Sequence, residues 1–210
     1  MTMNRPIRWL AATVLAVAAV GAHAQAKAPE ALIKEVSTDV LDAVKADKSI
    51  QSGDVRKVIV LVDQKVLPYV NFQRMTASAV GRYWRQATPE QQKRLQEEFK
   101  LLLVRTYSGA LAQVSAEQTV ELKPMRSAPA DNEVVVRTEI KGKGDPIQLD
   151  YRLEKAGDSW KIYDVNVLGV WLVENYRNSF AQEIGANGID GLIAKMAERN
   201  KSAAAAGAKS

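Results

Sequence analysis

The sequence predicts an α+β fold: a curved antiparallel four-stranded sheet, covered by helices and enclosing an apolar cavity. Three observations carry this. From Pro29 to about Val114, apolar residues recur at helical spacing. From Thr119 to Leu168 they alternate instead, in short runs separated by Gly- and Asp-rich links. After Gly169 the helical spacing returns. Consecutive strands with tight turns form an antiparallel meander with one wet face, and the flanking helices must cover the other.

Each element has its own signal. In Pro29 to Lys45, Leu32, Val36, Val40 and Val44 share one face, with Leu41 beside them. Asp54 caps a second helix through Val66, which Pro68 ends. Asn71 caps a third, Phe72 to Val80. The clearest start is Thr88-Pro89-Glu90-Gln91: a capping threonine, proline in the first turn, and a glutamine that reaches back. The helix behind it runs to about Val114 and is apolar all round at Leu101 to Val104. The strands are Thr119 to Met125, Asn132 to Lys141, Pro146 to Glu154 and Trp160 to Leu168. The links Gly142 to Asp145 and Ala156 to Asp158 have hairpin chemistry. Two helices follow, one with Val173, Tyr176, Phe180 and Ile184 inward, the other with Ile189, Leu192, Ile193 and Met196 inward, and a break spans Gly185 to Gly188.

The ends read differently. Arg5 and Arg8, then the apolar run Trp9 to Val20, then Ala22-His23-Ala24 form a secretory signal peptide over residues 1–24, cleaved before Gln25. Residues 25–200 form the folded domain, and the small, polar residues 201–210 are expected to be a disordered tail. The net charge of +5, less Arg5 and Arg8, leaves a mild +3 on the mature chain. Outside the cytoplasm this points away from nucleic acid and towards an acidic protein or an anionic surface.

Composition excludes much chemistry. Cysteine is absent, and cleavage removes His23, the only histidine. The mature chain therefore has no thiol or imidazole nucleophile and no soft metal ligand, and no disulfide can form. There is no phosphate-binding glycine loop and no nucleophile-elbow motif. Asp150 and Asp164 are the strand carboxylates that could act as acid or base, and a solvent-facing or turn-bonded acid is the competing reading. Neither a cofactor nor a catalytic residue is expected. The remaining feature is apolar bulk on both faces of Trp160 to Val167. It fits a sheet sandwiched between layers, or a cavity wall with none of the protein's own atoms behind it.

Four segments, in order, carry a resemblance. They are Val62-Asp63-Gln64-Lys65-Val66-Leu67-Pro68-Tyr69-Val70, Ala87 to Gln91, Tyr163-Asp164-Val165 through Gly169-Val170, and Gly188-Ile189-Asp190-Gly191-Leu192. The chain resembles the periplasmic phospholipid-binding proteins of the Mla system, also called toluene-tolerance or Ttg-type proteins. Trp171 departs from the family pattern, which has a small residue after the Gly-Val pair.

The resemblance implies a nuclear-transport-factor-2-like domain, in the periplasm and monomeric, that holds phospholipid acyl chains as cargo. It would ferry lipid between an outer-membrane lipoprotein–porin complex and an inner-membrane lipid ABC transporter, and so maintain outer-membrane asymmetry. Lipid-facing residues would come from every layer. Tyr69, Phe72 and Tyr83 precede the long helix, which contributes Phe99, Leu103 and Tyr107. The strands contribute Val136, Leu149 and Tyr151. The strand-to-helix join contributes Val165, Val167, Val170, Trp171 and Val173. A basic group around the capped helix start, Arg82, Arg85, Lys93, Arg94 and Lys100, would dock an acidic partner; an ordinary solvated face is the alternative. The other functional readings are a carboxylate-based isomerase or lyase acting on a hydrophobic small molecule, and a secreted adaptor with a solid core.

Overall fold

Capping and periodicity place the longer helices of the first half where the sequence predicts them, and one further turn, Lys48–Gln51, falls in a polar stretch where it predicts none. The structure, a computed structural model, describes residues 27–125 and 131–207. The expected signal peptide lies outside the described residues. Helix α1 is Pro29–Ala46, α2 the single turn Lys48–Gln51, and α3 Val55–Lys65. A 3₁₀ turn, Leu67–Tyr69, absorbs Pro68. Helix α4, Phe72–Val80, starts at Asn71, whose side chain accepts from the Arg74 N–H at 3.0 Å. A 3₁₀ segment, Gly81–Gln86, leads to α5, Pro89–Leu111.

The capping box of α5 is complete: Thr88 Oγ1 accepts from the Gln91 N–H, and Gln91 Oε1 accepts from the Thr88 N–H. Removing the hydroxyl in Thr88→Ala is expected to cost about 1 kcal/mol, read as a lower midpoint in chemical denaturation.

Antiparallel strands β1 (Thr119–Leu122), β2 (Glu133–Lys141), β3 (Ile147–Ala156), β4 (Ser159–Val167) and β5 (Val170–Trp171) follow in spatial order β1-β2-β3-β4-β5. The sheet therefore has five strands where four were expected. The added strand is two residues long, too short for alternation to register. It is made by a tight hairpin with Leu168 at φ +52° and Gly169 at φ +90°. Left-handed values at both loop positions are what a two-residue turn between twisted strands requires. Glycine adopts them freely; Leu168 does so under strain, and it is 66% exposed.

The apolar bulk on both sides of Trp160 to Val167 has a third explanation, one that sequence reasoning missed. Leu153 pairs with Ile162, but Arg152 pairs with Asp164, so Tyr163 is an extra residue on β4. This bulge reverses the alternation midway. Trp160 and Ile162 before it, and Val165 and Val167 after it, all share the face that carries Leu153, Tyr151 and Leu149. Asp164 and Asn166 turn to the opposite face.

Helix α6 spans Leu172–Gly207, with a kink at Gly188, where φ is +73°. Residues 201–207, the first part of the expected tail, continue this helix. Alanine is the strongest helix former, so an alanine run extends a preceding turn on propensity.

The interior is divided. One apolar cluster joins α4, α5 and α6 around Phe99, Leu95 and Ile193. A second joins α1 to the sheet around Ile33, Val136 and Leu153. A third joins α1, α2, α3 and α5 around Val44 and Val58.

Candidate functional site

The gap between these clusters is the candidate site. Helix α1 lies against β1 and β2, and α4 and α6 lie against β4. Helix α5 rests on α3, α4 and α6 rather than on the strands. Among the described residues, no helix packs closely along β3, the middle strand.

Cross-strand neighbours on the helix-covered face form rows that map the gap. Val134, Leu153 and Ile162 are 3%, 0% and 2% exposed, so that end is filled. In the next row Val136 is sealed, but Tyr151 and Val165 are only half-buried. Then come Thr138, sealed, with Leu149 and Val167 half-buried. Last are Ile140 and Ile147, both half-buried. Leu149, Val167, Ile140 and Ile147 join none of the three clusters. The strands thus run from a packed end to an uncovered apolar end, and Tyr151 stands at the boundary. Its hydroxyl lies 3.2 Å from Ser37 Oγ on α1, and burial pushes its phenol above the ordinary range. Tyr107, half-buried on α5, is also raised, first by burial and then by Tyr176.

The sequence-derived candidates divide by position. Leu149, Tyr151, Val165 and Val167 come together along the gap. Leu103 and Tyr107 are half-buried on α5, the helix that stands off the sheet. Tyr69 packs on the sheet-side cluster, and Phe72 on the helical one, with its ring 5.9 Å from Phe99. Phe99, Val136 and Val173 are 0%, 0% and 5% exposed and pack against the protein's own side chains. Tyr83 borders a separate open groove of about 390 Å³ with Arg82 and Arg177. Val170, across from Val167, is 48% exposed.

Trp171 stands apart from the other candidates. It pairs with Asn166 on the opposite face of the sheet, and the Arg152 guanidinium lies 3.9 Å from its ring centre. A bulky residue fits there because it covers a cation instead of entering the gap.

Ser37, Ile140 and Ile147 are gap residues that the reading omitted. Strand alternation puts Ile140 and Ile147 with Thr138 and Leu149, so they could have been found. Ser37 and Tyr151 are 114 residues apart in the chain, and no local pattern links them.

Both candidate carboxylates point away from the gap. Asp150 is buried on the opposite face, where Oδ2 accepts from Gln148 Nε2 at 3.0 Å and Arg137 Nε lies 3.9 Å away. Asp164, 1% exposed, accepts through Oδ1 from the Val165 and Val173 N–H groups at 2.9 and 3.1 Å. Its Oδ2 accepts from Arg152 Nη1 at 3.0 Å. It therefore ties the start of α6 to β4. Burial raises its pKa despite these partners. No cluster of metal-ligating side chains occurs among the described residues, and no helix among them is long and apolar enough to cross a membrane.

Of the basic group, Arg82, Arg85, Lys93 and Arg94 are exposed. Lys100 is not free: it pairs with Asp63 at 2.8 Å. Lys93 lies 4.0 Å from Glu97, and Arg82 donates to the Tyr83 hydroxyl.

The profile of the MlaC protein family matches residues 34–198. The chain belongs to the MlaC family. It is 26% identical over 185 residues to the toluene tolerance protein Ttg2D of Pseudomonas putida, covering 85% of this chain and 86% of that one. It is also 26% identical over 172 residues to the intermembrane phospholipid transport system binding protein MlaC of Haemophilus influenzae, covering 80% of each. A phospholipid-binding protein from Ralstonia solanacearum, solved at 1.53 Å in complex with a phospholipid, superposes with a TM-score of 0.80. It is 48% identical, and the match covers 83% of this chain and 98% of that one. The match to the MlaC family thus spans α1 through most of α6, and with it both walls of the gap.

Proposed function

We propose that this MlaC-family chain is a periplasmic phospholipid carrier, with acyl chains in the gap beneath β3 and the headgroup outside. The observation that carries the reading is the set of half-buried apolar residues, Leu149, Val167, Ile140 and Ile147, that belong to none of the packed clusters. The 48% identity to a protein solved with phospholipid supports it. The fold is of the nuclear-transport-factor-2-like kind with added helices. Burying roughly thirty acyl methylenes, at about 0.8 kcal/mol each, yields a gross gain of order 20 kcal/mol before ordering costs. No catalytic group and no cofactor is required. Mass spectrometry of the organic extract of protein purified without detergent is expected to show near-stoichiometric intact phospholipid. Recovery of no lipid, or of lysolipid accumulating on incubation, would sink the reading.

In the finer part of the reading, a monomer shuttles lipid between an outer-membrane lipoprotein–porin complex and an inner-membrane ABC transporter. Arg85 and Arg94 support this, because both are exposed beside the start of α5 and neither pairs with an acid among the described residues. Charge reversal at both is expected to weaken transporter binding several-fold at low salt and less at high salt, with bound lipid unchanged. Equal affinity at low salt would remove this face from the interface.

A further inference from the structure

We infer that Tyr151, held across the gap by Ser37, is the floor of the acyl site and sets the length of chain it accepts. This rests on the carrier reading above. The argument comes from the rows of the sheet. Beyond Tyr151, Val134, Leu153 and Ile162 are sealed under α1 by Leu32, Ile33 and Val36. Before it, Leu149, Val167, Ile140 and Ile147 are covered only in part. Tyr151 is the largest side chain in its row and stands on the strand that no helix packs along. Its ring packs on the filled cluster, while its hydroxyl reaches α1. An acyl chain entering from the Ile140–Ile147 end meets this ring and, behind it, solid core. Ser37 is a positioning residue: its hydroxyl fixes where the ring stands. Ser37 and Thr138 both give the Tyr151 hydroxyl a hydrogen-bond partner in an otherwise apolar site.

The test is the acyl composition of bound lipid. Full-length wild type, Tyr151→Ala, Tyr151→Phe and Tyr151→Trp are loaded from vesicles holding equal parts of two phosphatidylethanolamines whose chains differ by two methylenes. Each additional buried methylene favours the longer lipid by roughly fourfold. Tyr151→Ala is expected to raise the long-to-short ratio about tenfold over wild type. Tyr151→Phe keeps the ring and is expected to leave that ratio within about twofold. Tyr151→Trp adds bulk and is expected to lower it. Ser37→Ala breaks the same hydrogen bond as Tyr151→Phe and is likewise expected to shift the ratio by no more than about twofold. If Tyr151→Ala does not fold, Tyr151→Trp asks the same question in the opposite direction. Stoichiometric lipid with the wild-type ratio in both Ala and Trp variants would overturn the floor and leave the carrier reading standing. A wild type that takes up neither lipid would overturn both.

Discussion

Leu149→Glu is expected to yield a folded protein that carries almost no lipid. Leu149 stands on β3, on the helix-covered face, beside Val167 and one row beyond Tyr151. It is half-buried and belongs to none of the packed clusters, so shortening or charging it opens no cavity in them. Water can reach the new carboxylate in the lipid-free protein, and circular dichroism and the melting temperature should stay close to wild type. With acyl chains in the gap, the same carboxylate would be buried without a partner, at a cost of several kcal/mol or a forced protonation. A loss of about 3 kcal/mol in affinity is more than a hundredfold in binding. Occupancy measured by mass spectrometry should therefore fall to a small fraction of wild type. Near-stoichiometric lipid in a folded Leu149→Glu would remove this row from the site. The same substitution at Val136, 0% exposed and inside a cluster, is expected to unfold the chain instead.

Asp164→Ala is expected to have the opposite signature: a large loss of stability with lipid retained. The substitution leaves the Val173 N–H at the start of α6 without its acceptor. It also takes one of the two carboxylates from Arg152, which keeps Glu174 at 3.1 Å and the Trp171 ring. Together these changes should cost about 3 kcal/mol. For a chain of this length that is a fall in melting temperature of roughly 6–12 °C. The pH dependence has an uncommon sign. Because burial raises the Asp164 pKa, its ionised form opposes folding. The stability linked to its proton is full below the ordinary aspartate value and fades as pH rises through the raised one. An unchanged melting temperature would show that β4 and α6 are held by other contacts. Lost lipid in a stable variant would give Asp164 a role in the site.

Helices were readable because their signals are local. Thr88 to Gln91 specifies its cap within one turn, and Asn71 and Asp54 do the same. The strands were readable from alternation, apart from β5, which is too short for it to show. Burial was harder to read. Leu149 and Val136 are both apolar and lie on one face of the sheet, yet the first is half-buried and the second sealed, because among the described residues α1 packs more closely on β2 than any helix does on β3. Which residues line a gap depends on where helices stop, and that is decided by packing between distant segments. Trp171 shows the same limit. Its side chain could be assigned to a face only after the pairing with Asn166 was known. Strand β4 was ambiguous for a different reason: a bulge leaves no mark in composition, and Tyr163 looks like any other strand residue.

That extra residue sets the phase of the second half of β4. If Tyr163 stayed in the chain but the bulge were lost, everything after it would rotate by one position. Asp164 and Asn166 would then face the helices, and Val165 and Val167 would face away, in one step turning a greasy wall polar and breaking the tie to α6. A one-residue insertion in the Gly142–Asp145 link is absorbed by an exposed turn. The phase of a single strand, set by one unpaired residue, thus decides whether the sheet presents an oily or a charged surface to its helices.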